Sequence, residues 1–431
     1  MKKKKSNNRR EFLKLSGMTA LGLVATGSID ASTMAWNPDL LTLNPSHLKM
    51  TPLQDVNLIG PYGPWAVSLT EGKLPSLSFR RKEFNNVDSW RKTARGRLIE
   101  RLGIPDIGGI PKVTLKNKSS FDGLSIEEMT WQLPYGRPTG AIVLKPENAK
   151  GKLPAILAFH DHGGNKYFGK QKITRTANQH PLMFEHQRDY YSGFAWANEI
   201  AKRGYVVMVS DAFPFESRRV LLGDVPENIR GGLTDSNPDT RESIEAYNDW
   251  AGGHEHIMAK SLFSAGTTWP GVFFAEDQKA LDILCAREDV DTSRVGCGGL
   301  SGGGMRTVFM GGLDERIKCA VCVGFMTTWK DFILNKSFTH TWMTYVPILP
   351  NELDFPEILA LRVPLATLVL NDIDDDLYTM PEMQRAESIM KEVFTKASAQ
   401  DRYKCSYHPG PHKFDATMQA EAFDWFDKWL K

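Results

Sequence analysis

From Ser125 to the C-terminus, short apolar runs alternate with segments of helical periodicity, and this alternation restricts the fold more than any other feature. Leu153–Phe159 (LPAILAF) and Tyr205–Ser210 (YVVMVS) are apolar without interruption, as strands covered on both faces must be. Further strands are expected at Ser125–Gln132, Thr139–Lys145, Arg294–Gly298, Cys319–Val323, Pro364–Leu370 and Arg402–Tyr407. Helices are expected at Phe194–Arg203, Ala275–Arg287, after Ser301, at Pro381–Lys396 and at Ala416–Leu430. Alternating strands and helices predict an α/β fold, a mostly parallel central sheet with helices on both faces. The stretch from about Phe213 to Phe274 breaks the rhythm and reads as an insertion over the sheet. Residues 36–120 are punctuated by Pro and Gly, with one clear helix at Asp88–Leu102. The expected organisation is therefore a leader over residues 1–35, a helical or irregular extension over 36–120, and an α/β domain over 121–431.

Charge separates the leader from the body. The chain of 431 residues has a formal net charge of +2, yet residues 1–35 hold seven Lys/Arg against two acids. The remainder is mildly acidic, so no basic surface for nucleic acid is expected. Lys2–Lys5 and Arg9–Arg10 precede the short, weakly apolar Leu15–Ala25, with Thr33-Met34-Ala35 as a small-residue cleavage site. Asn8-Arg9-Arg10-Glu11-Phe12-Leu13-Lys14 resembles a bacterial twin-arginine signal, with Asn8 where Ser or Thr is usual. A periplasmic or extracellular protein is expected, touching a membrane only through an uncleaved signal. The five cysteines are odd in number and widely spread, which is no disulfide framework. Cys319 and Cys322 lie three apart on one strand, hence on opposite faces, and read as core thiols rather than a metal pair.

The chemistry concentrates at three strand ends. Gly299-Leu300-Ser301-Gly302-Gly303 is a G-x-S-x-G where a strand gives way to a helix, the setting in which a serine is held exposed on a sharp turn. Ser301 is the expected nucleophile. Strand Leu153–Phe159 runs into His160-Asp161-His162-Gly163-Gly164, a glycine-rich loop suited to supply one N–H of an oxyanion hole; the other belongs to Gly302. Metal binding through His160 and His162 is the rival reading, but no nearby residues complete a ligand set, so no metal and no cofactor are expected. A base is needed because a serine hydroxyl is a poor nucleophile. His412, on the loop after Arg402–Tyr407, is the expected base, with His408 as competitor. The acid follows Pro364–Leu370 in Asn371-Asp372-Ile373-Asp374-Asp375-Asp376. Asp375 is the first choice and Asp374 the second.

In these motifs and their order, the stretch from about Ser125 to Lys431 resembles the dienelactone-hydrolase and acetyl-xylan-esterase-like branch of the α/β-hydrolase superfamily. His160–Gly164, Asp211, Thr268–Gly271, Asp291–Gly303 and Gly410–His412 carry the resemblance. It implies the α/β-hydrolase fold, a Ser-His-Asp triad and a second oxyanion donor at the backbone of His162. Dienelactone hydrolases use Cys where this chain has Ser301, and Asp372 stands where Gly is usual. An exported serine hydrolase acting on a small-molecule or carbohydrate ester is the leading expectation. A serine peptidase and a non-catalytic binding protein of the same fold are the alternatives. Trp250, Trp269, Trp329 and Trp342 are candidates for stacking on sugar rings. His254-Glu255-His256 lacks the spacing of a zinc motif and reads as a solvated polar loop. Arg306 reads as an ion-pair member.

Overall fold

The structure is a computed structural model that describes residues 56–70, 72–235 and 239–431. The expected leader, residues 1–35, and the first part of the extension lie outside the described residues. Nine strands form one sheet in the order β1-β2-β3-β5-β4-β6-β7-β8-β9. They are β1 Val113–Phe121, β2 Leu124–Trp131, β3 Thr139–Pro146, β4 Leu153–Phe159, β5 Val206–Ser210, β6 Val290–Leu300, β7 Ile317–Val323, β8 Ala366–Asp372 and β9 Tyr403–His408. β1–β2, β2–β3 and β3–β5 pair antiparallel, and every pairing from β5 across to β9 is parallel.

The longer helices are α1 Val87–Leu102, α2 Pro181–Tyr191, α3 Trp196–Lys202, α4 Arg241–Ser264, α5 Trp269–Cys285, α6 Gly302–Leu313, α7 Met380–Lys396 and α8 Ala416–Leu430. Helices α1, α5, α6 and α7 bury their apolar sides in one core on one face of the sheet. Helices α3 and α8 fill the core on the other. Cys319 belongs to one core and Cys322 to the other, as the two-residue period of a strand requires. Among the described residues no helix is long and apolar enough to cross a membrane.

One sequence expectation fails here for a physical reason, and one helix boundary moves. The extension over 36–120 contains a strand, β1, so the sheet begins at Val113 rather than after residue 121. Seven of the nine β1 residues are exposed, which removes the apolar alternation that marks a strand. The turn into β2 did leave a signal. Asp122 and Gly123 take φ of 53° and 77°, the two positive values of a tight hairpin, for which Asp-Gly is a preferred pair. The presumed insertion, about 213–274, is largely helical. The 24-residue α4 spans Gly252-Gly253 without breaking, and α5 begins at Trp269, six residues before the expected start.

Topology then places the site. β4 lies between β5 and β6, so the chain leaves β4 toward one edge of the sheet and leaves β6 toward the other. The carboxyl ends of such a pair bound a crevice.

Candidate active site

At the end of β6 the backbone turns sharply. Ser301 adopts φ 59° and ψ −116°, a strained geometry for a non-glycine residue, immediately before α6. Its N–H donates to the Val323 carbonyl on β7 at 2.9 Å, which ties the turn to the sheet. The flanking glycines are there for space: a Cβ on Gly299 or on Gly303 would come within 2.4 Å of the Phe159 carbonyl oxygen. The G-x-S-x-G spacing follows from this close approach of β6 and α6 to the end of β4.

β8 and β9 end side by side, with Asp372 opposite His408 in register. Beyond them the two loops are stapled together. Asp374 N–H donates to the Gly410 carbonyl at 3.0 Å, and Gly410 N–H donates back to Asp374 Oδ2 at 3.0 Å. This brings Asp375 Oδ2 to 2.6 Å from His412 Nδ1, both side chains buried. The other Asp375 oxygen accepts from Leu377 N–H at 2.9 Å, so the carboxylate is held at both ends. With Nδ1–H donated to Asp375, His412 presents Nε2 as an acceptor. That Nε2 is buried and has no hydrogen-bond partner among the described residues, so the bond to Ser301 Oγ is not closed. His408, the competitor, bonds instead to Glu421 Oε2 on α8 at 2.9 Å. Asp374 braces the loop and does not touch the imidazole.

One residue here escaped the sequence reading, and another was noted there only as a departure from the resembling family. Gly324, at the end of β7, has φ 57°, and a Cβ there would lie 3.0 Å from His412 Cε1; its place is the ring's space. Asp372, standing where the resembling family has Gly, accepts from Lys413 N–H at 3.1 Å and has its Oδ1 buried without a partner. Burial pushes its carboxyl up to about 7. Asp372, Asp375 and His412 offer ligand atoms within 4.8 Å of one another, a geometry that could admit a metal ion. The donor set is poor for one, because His412 Nδ1 and Asp375 already bond to each other.

On the opposite wall stands the loop after β4. His162 N lies 3.0 Å from the position a Cβ on Gly302 would take, so the two expected oxyanion donors are neighbours. Among the described residues neither N–H donates to a backbone carbonyl. All four ring nitrogens of His160 and His162 are engaged, which leaves the metal alternative no free ligand. His160 Nδ1 bonds to the Asp161 carbonyl at 3.0 Å, and its Nε2 accepts from Ala212 N–H at 3.2 Å. His162 Nδ1 accepts from Gly164 N–H at 3.1 Å, and its Nε2 bonds to Glu255 Oε1 at 2.8 Å. Burial holds both imidazoles below the usual histidine range and so neutral.

Glu255 overturns the reading of His254-Glu255-His256 as a solvated loop. The buried stripe of α4 runs Ile244, Tyr247, Ala251, Glu255, Ala259, and the carboxylate occupies an inward position of that stripe. It accepts from His162, from Lys166 Nζ at 2.5 Å, from Thr341 Oγ1 at 2.6 Å and from Trp342 N–H at 3.0 Å. Although burial opposes its ionisation, the Lys166 ammonium and these donors hold its carboxyl far below the usual range. A small cavity between Phe215, Phe273, Met305, Thr341 and Met343 adjoins His162 and Gly302. Of the tryptophans, Trp269 and Trp329 are core residues and Trp250 stacks on His254, while Trp342 is 42% exposed. Arg306 pairs with Asp277 through two bonds, 2.9 and 2.5 Å, as an ion-pair member.

Residues 263–364, which include Ser301 but neither Asp375 nor His412, match the prolyl oligopeptidase family. A Bacillus subtilis (strain 168) protein described as "Putative hydrolase YtaP" is 26% identical over 344 residues, 79% of this chain and 100% of that one. The solved structure of "a putative acetyl xylan esterase" from Bacteroides fragilis superposes with TM-score 0.60 at 18% identity, covering 83% of this chain and 84% of the other. A glucuronoyl esterase from Solibacter usitatus gives TM-score 0.54 at 14% identity, covering 82% and 97%. With a mostly parallel sheet in this strand order, a strained serine between β6 and α6, and likenesses of this extent, the chain is an α/β-hydrolase-fold protein.

Proposed function

We propose that this chain is an exported serine hydrolase that cleaves carboxylic esters, with Ser301, His412 and Asp375 as its triad and the N–H groups of His162 and Gly302 as its oxyanion hole. The observation that carries the reading is the His412–Asp375 pair, whose 2.6 Å bond leaves Nε2 as a buried acceptor with nothing to accept from. A buried basic nitrogen without a donor is costly and needs a reason, which a proton taken from Ser301 would supply. In the reaction, Ser301 Oγ attacks the ester carbonyl carbon and His412 Nε2 takes its proton. The carbonyl oxygen becomes an oxyanion facing His162 and Gly302. Collapse of the tetrahedral intermediate expels the alcohol, which receives the proton from His412, and water releases the acyl group by the same steps. Asp375 fixes the ring orientation and stabilises the imidazolium.

Esters are favoured as substrates because the structural neighbours are esterases, and export suits an acylated carbohydrate or small ester met outside the cytoplasm. The match to the prolyl oligopeptidase family supports peptide bonds as the second reading. Ser301→Ala should abolish labelling by a fluorophosphonate and lower ester turnover by several orders of magnitude, leaving at most roughly 10³–10⁴-fold over water. The panel should pair p-nitrophenyl esters and acetylated oligosaccharides with prolyl peptides. Unchanged turnover in the purified variant would remove Ser301 from the mechanism, and cleavage of peptides alone would replace the ester reading. N-terminal sequencing of protein recovered from the periplasm tests export; a mature chain starting at Met1 would refute a cleaved leader.

A further inference from the structure

Lys172 is completely buried, and its ammonium does not sit primarily on a carboxylate. Nζ donates to the carbonyls of Asp161 and His162 at 2.8 Å each, while the nearest Asp161 carboxylate oxygen is 3.8 Å away. That carboxylate is engaged elsewhere, by His186 Nε2 at 3.1 Å and the Tyr191 hydroxyl at 2.5 Å. The Asp161 carbonyl belongs to the same peptide unit as the His162 N–H. In a trans peptide the C=O and N–H point in opposite directions. A cation that draws the Asp161 oxygen toward itself therefore turns the His162 N–H the other way, toward Gly302 and the elbow.

We propose that Lys172 is a positioning residue for the oxyanion hole: its ammonium holds the Asp161–His162 peptide with the N–H facing the elbow and polarises that N–H. The charge matters as well as the geometry. A cation on the carbonyl oxygen shifts electron density away from the amide nitrogen, and in a buried site this effect is weakly screened. A donor fixed in advance is what makes an oxyanion hole effective. His160 Nδ1 bonds to the same Asp161 carbonyl and adds geometry without charge.

This inference rests on Ser301 being the nucleophile, and two readouts keep the claims apart. Asp161-His162 is the one Asp–His pair in the chain, so protein carrying carbonyl-¹³C Asp and ¹⁵N His gives a single doubly labelled amide signal. Lys172→Met removes the donors, and Lys172→Gln retains two N–H donors without the charge. The expected result is a displaced His162 amide resonance in both variants. Turnover should fall about 100-fold in Lys172→Met, on the scale of losing one oxyanion donor. It should fall about tenfold in Lys172→Gln, with KM within about threefold of wild type in both. Should Lys172→Met fail to fold, folded Lys172→Gln decides alone. An unmoved resonance overturns the proposal whatever Ser301 does. A moved resonance with unchanged kcat, or a loss of kcat matched by a rise in KM, makes Lys172 a structural residue only. Fluorophosphonate labelling of the wild-type protein at Ser301 tests the nucleophile independently.

Discussion

The two walls of the candidate site are built in different ways. On one, Ser301, Asp375 and His412 each stand just past a parallel strand, and the parallel register of β6 to β9 brings their loops together. On the other, the His160–Lys172 loop is long and takes its shape from buried charges and hydrogen bonds, some contributed by distant parts of the chain and one by the loop itself. Glu255 comes from α4, Thr341 and Trp342 from a segment beyond β7, and Lys172 from the far end of the loop itself. The sheet dictates the first wall. The second is dictated by side chains, so single substitutions should act on the two very differently.

The largest contrast lies within the first wall. Asp375→Asn should lower turnover by about 10⁴-fold, as amidation of a triad acid does by stabilising the wrong imidazole tautomer. Asp374→Asn can still accept from Gly410 N–H through its amide oxygen and leaves the imidazole's partner in place, so a loss of no more than about tenfold is expected. Steady-state kinetics on both purified variants decides the matter. Equal losses would mean that the loop staple, not the acid, sets activity.

The second wall should respond less steeply and through more partners at once. Glu255→Gln keeps the shape but loses the charge that balances Lys166, and leaves that ammonium buried and unpaired. Turnover should drop about 10- to 100-fold, and the thermal midpoint should drop with it because α4, the loop and Thr341 share this one carboxylate. Differential scanning calorimetry beside kinetics tests the coupling. Lost activity at an unchanged midpoint would show that Glu255 does not hold the wall together.

This difference also explains what the sequence disclosed. The proposed Ser301, Asp375 and His412 were readable because glycines, aspartates and a Pro-Gly-Pro turn each follow a recognisable strand. The acid remained ambiguous between Asp374 and Asp375 because only the exchange of bonds with Gly410 decides which carboxylate faces inward. Glu255 was hidden by Gly252 and Gly253, two poor helix formers, although Ile244, Tyr247, Ala251 and Ala259 already marked a helical stripe passing through it. Lys172 had no signal at all. A lysine whose partners are two backbone carbonyls ten and eleven residues upstream leaves no pattern in composition or spacing.

Asp372 carries the smallest expected effect and the most specific one. Burial is the main cause of its elevated carboxyl, with the Asp375 charge adding to it, while the Lys413 N–H and His412 oppose it. Its folded value of about 7 stands above the roughly 3.9 of an unfolded aspartate. Between those values the folded state binds more protons than the unfolded one, so this group's contribution to stability falls as pH rises from about 4 to about 7. Below that window both states are protonated and the contribution is constant. Asp372→Asn can still accept from Lys413 N–H through its amide oxygen and cannot ionise. The variant should therefore gain thermal midpoint relative to wild type at pH 8 and gain less, or nothing, at pH 5. A midpoint difference that is the same at both values would mean that Asp372 titrates as an ordinary surface carboxyl and takes no part in the charge balance around His412.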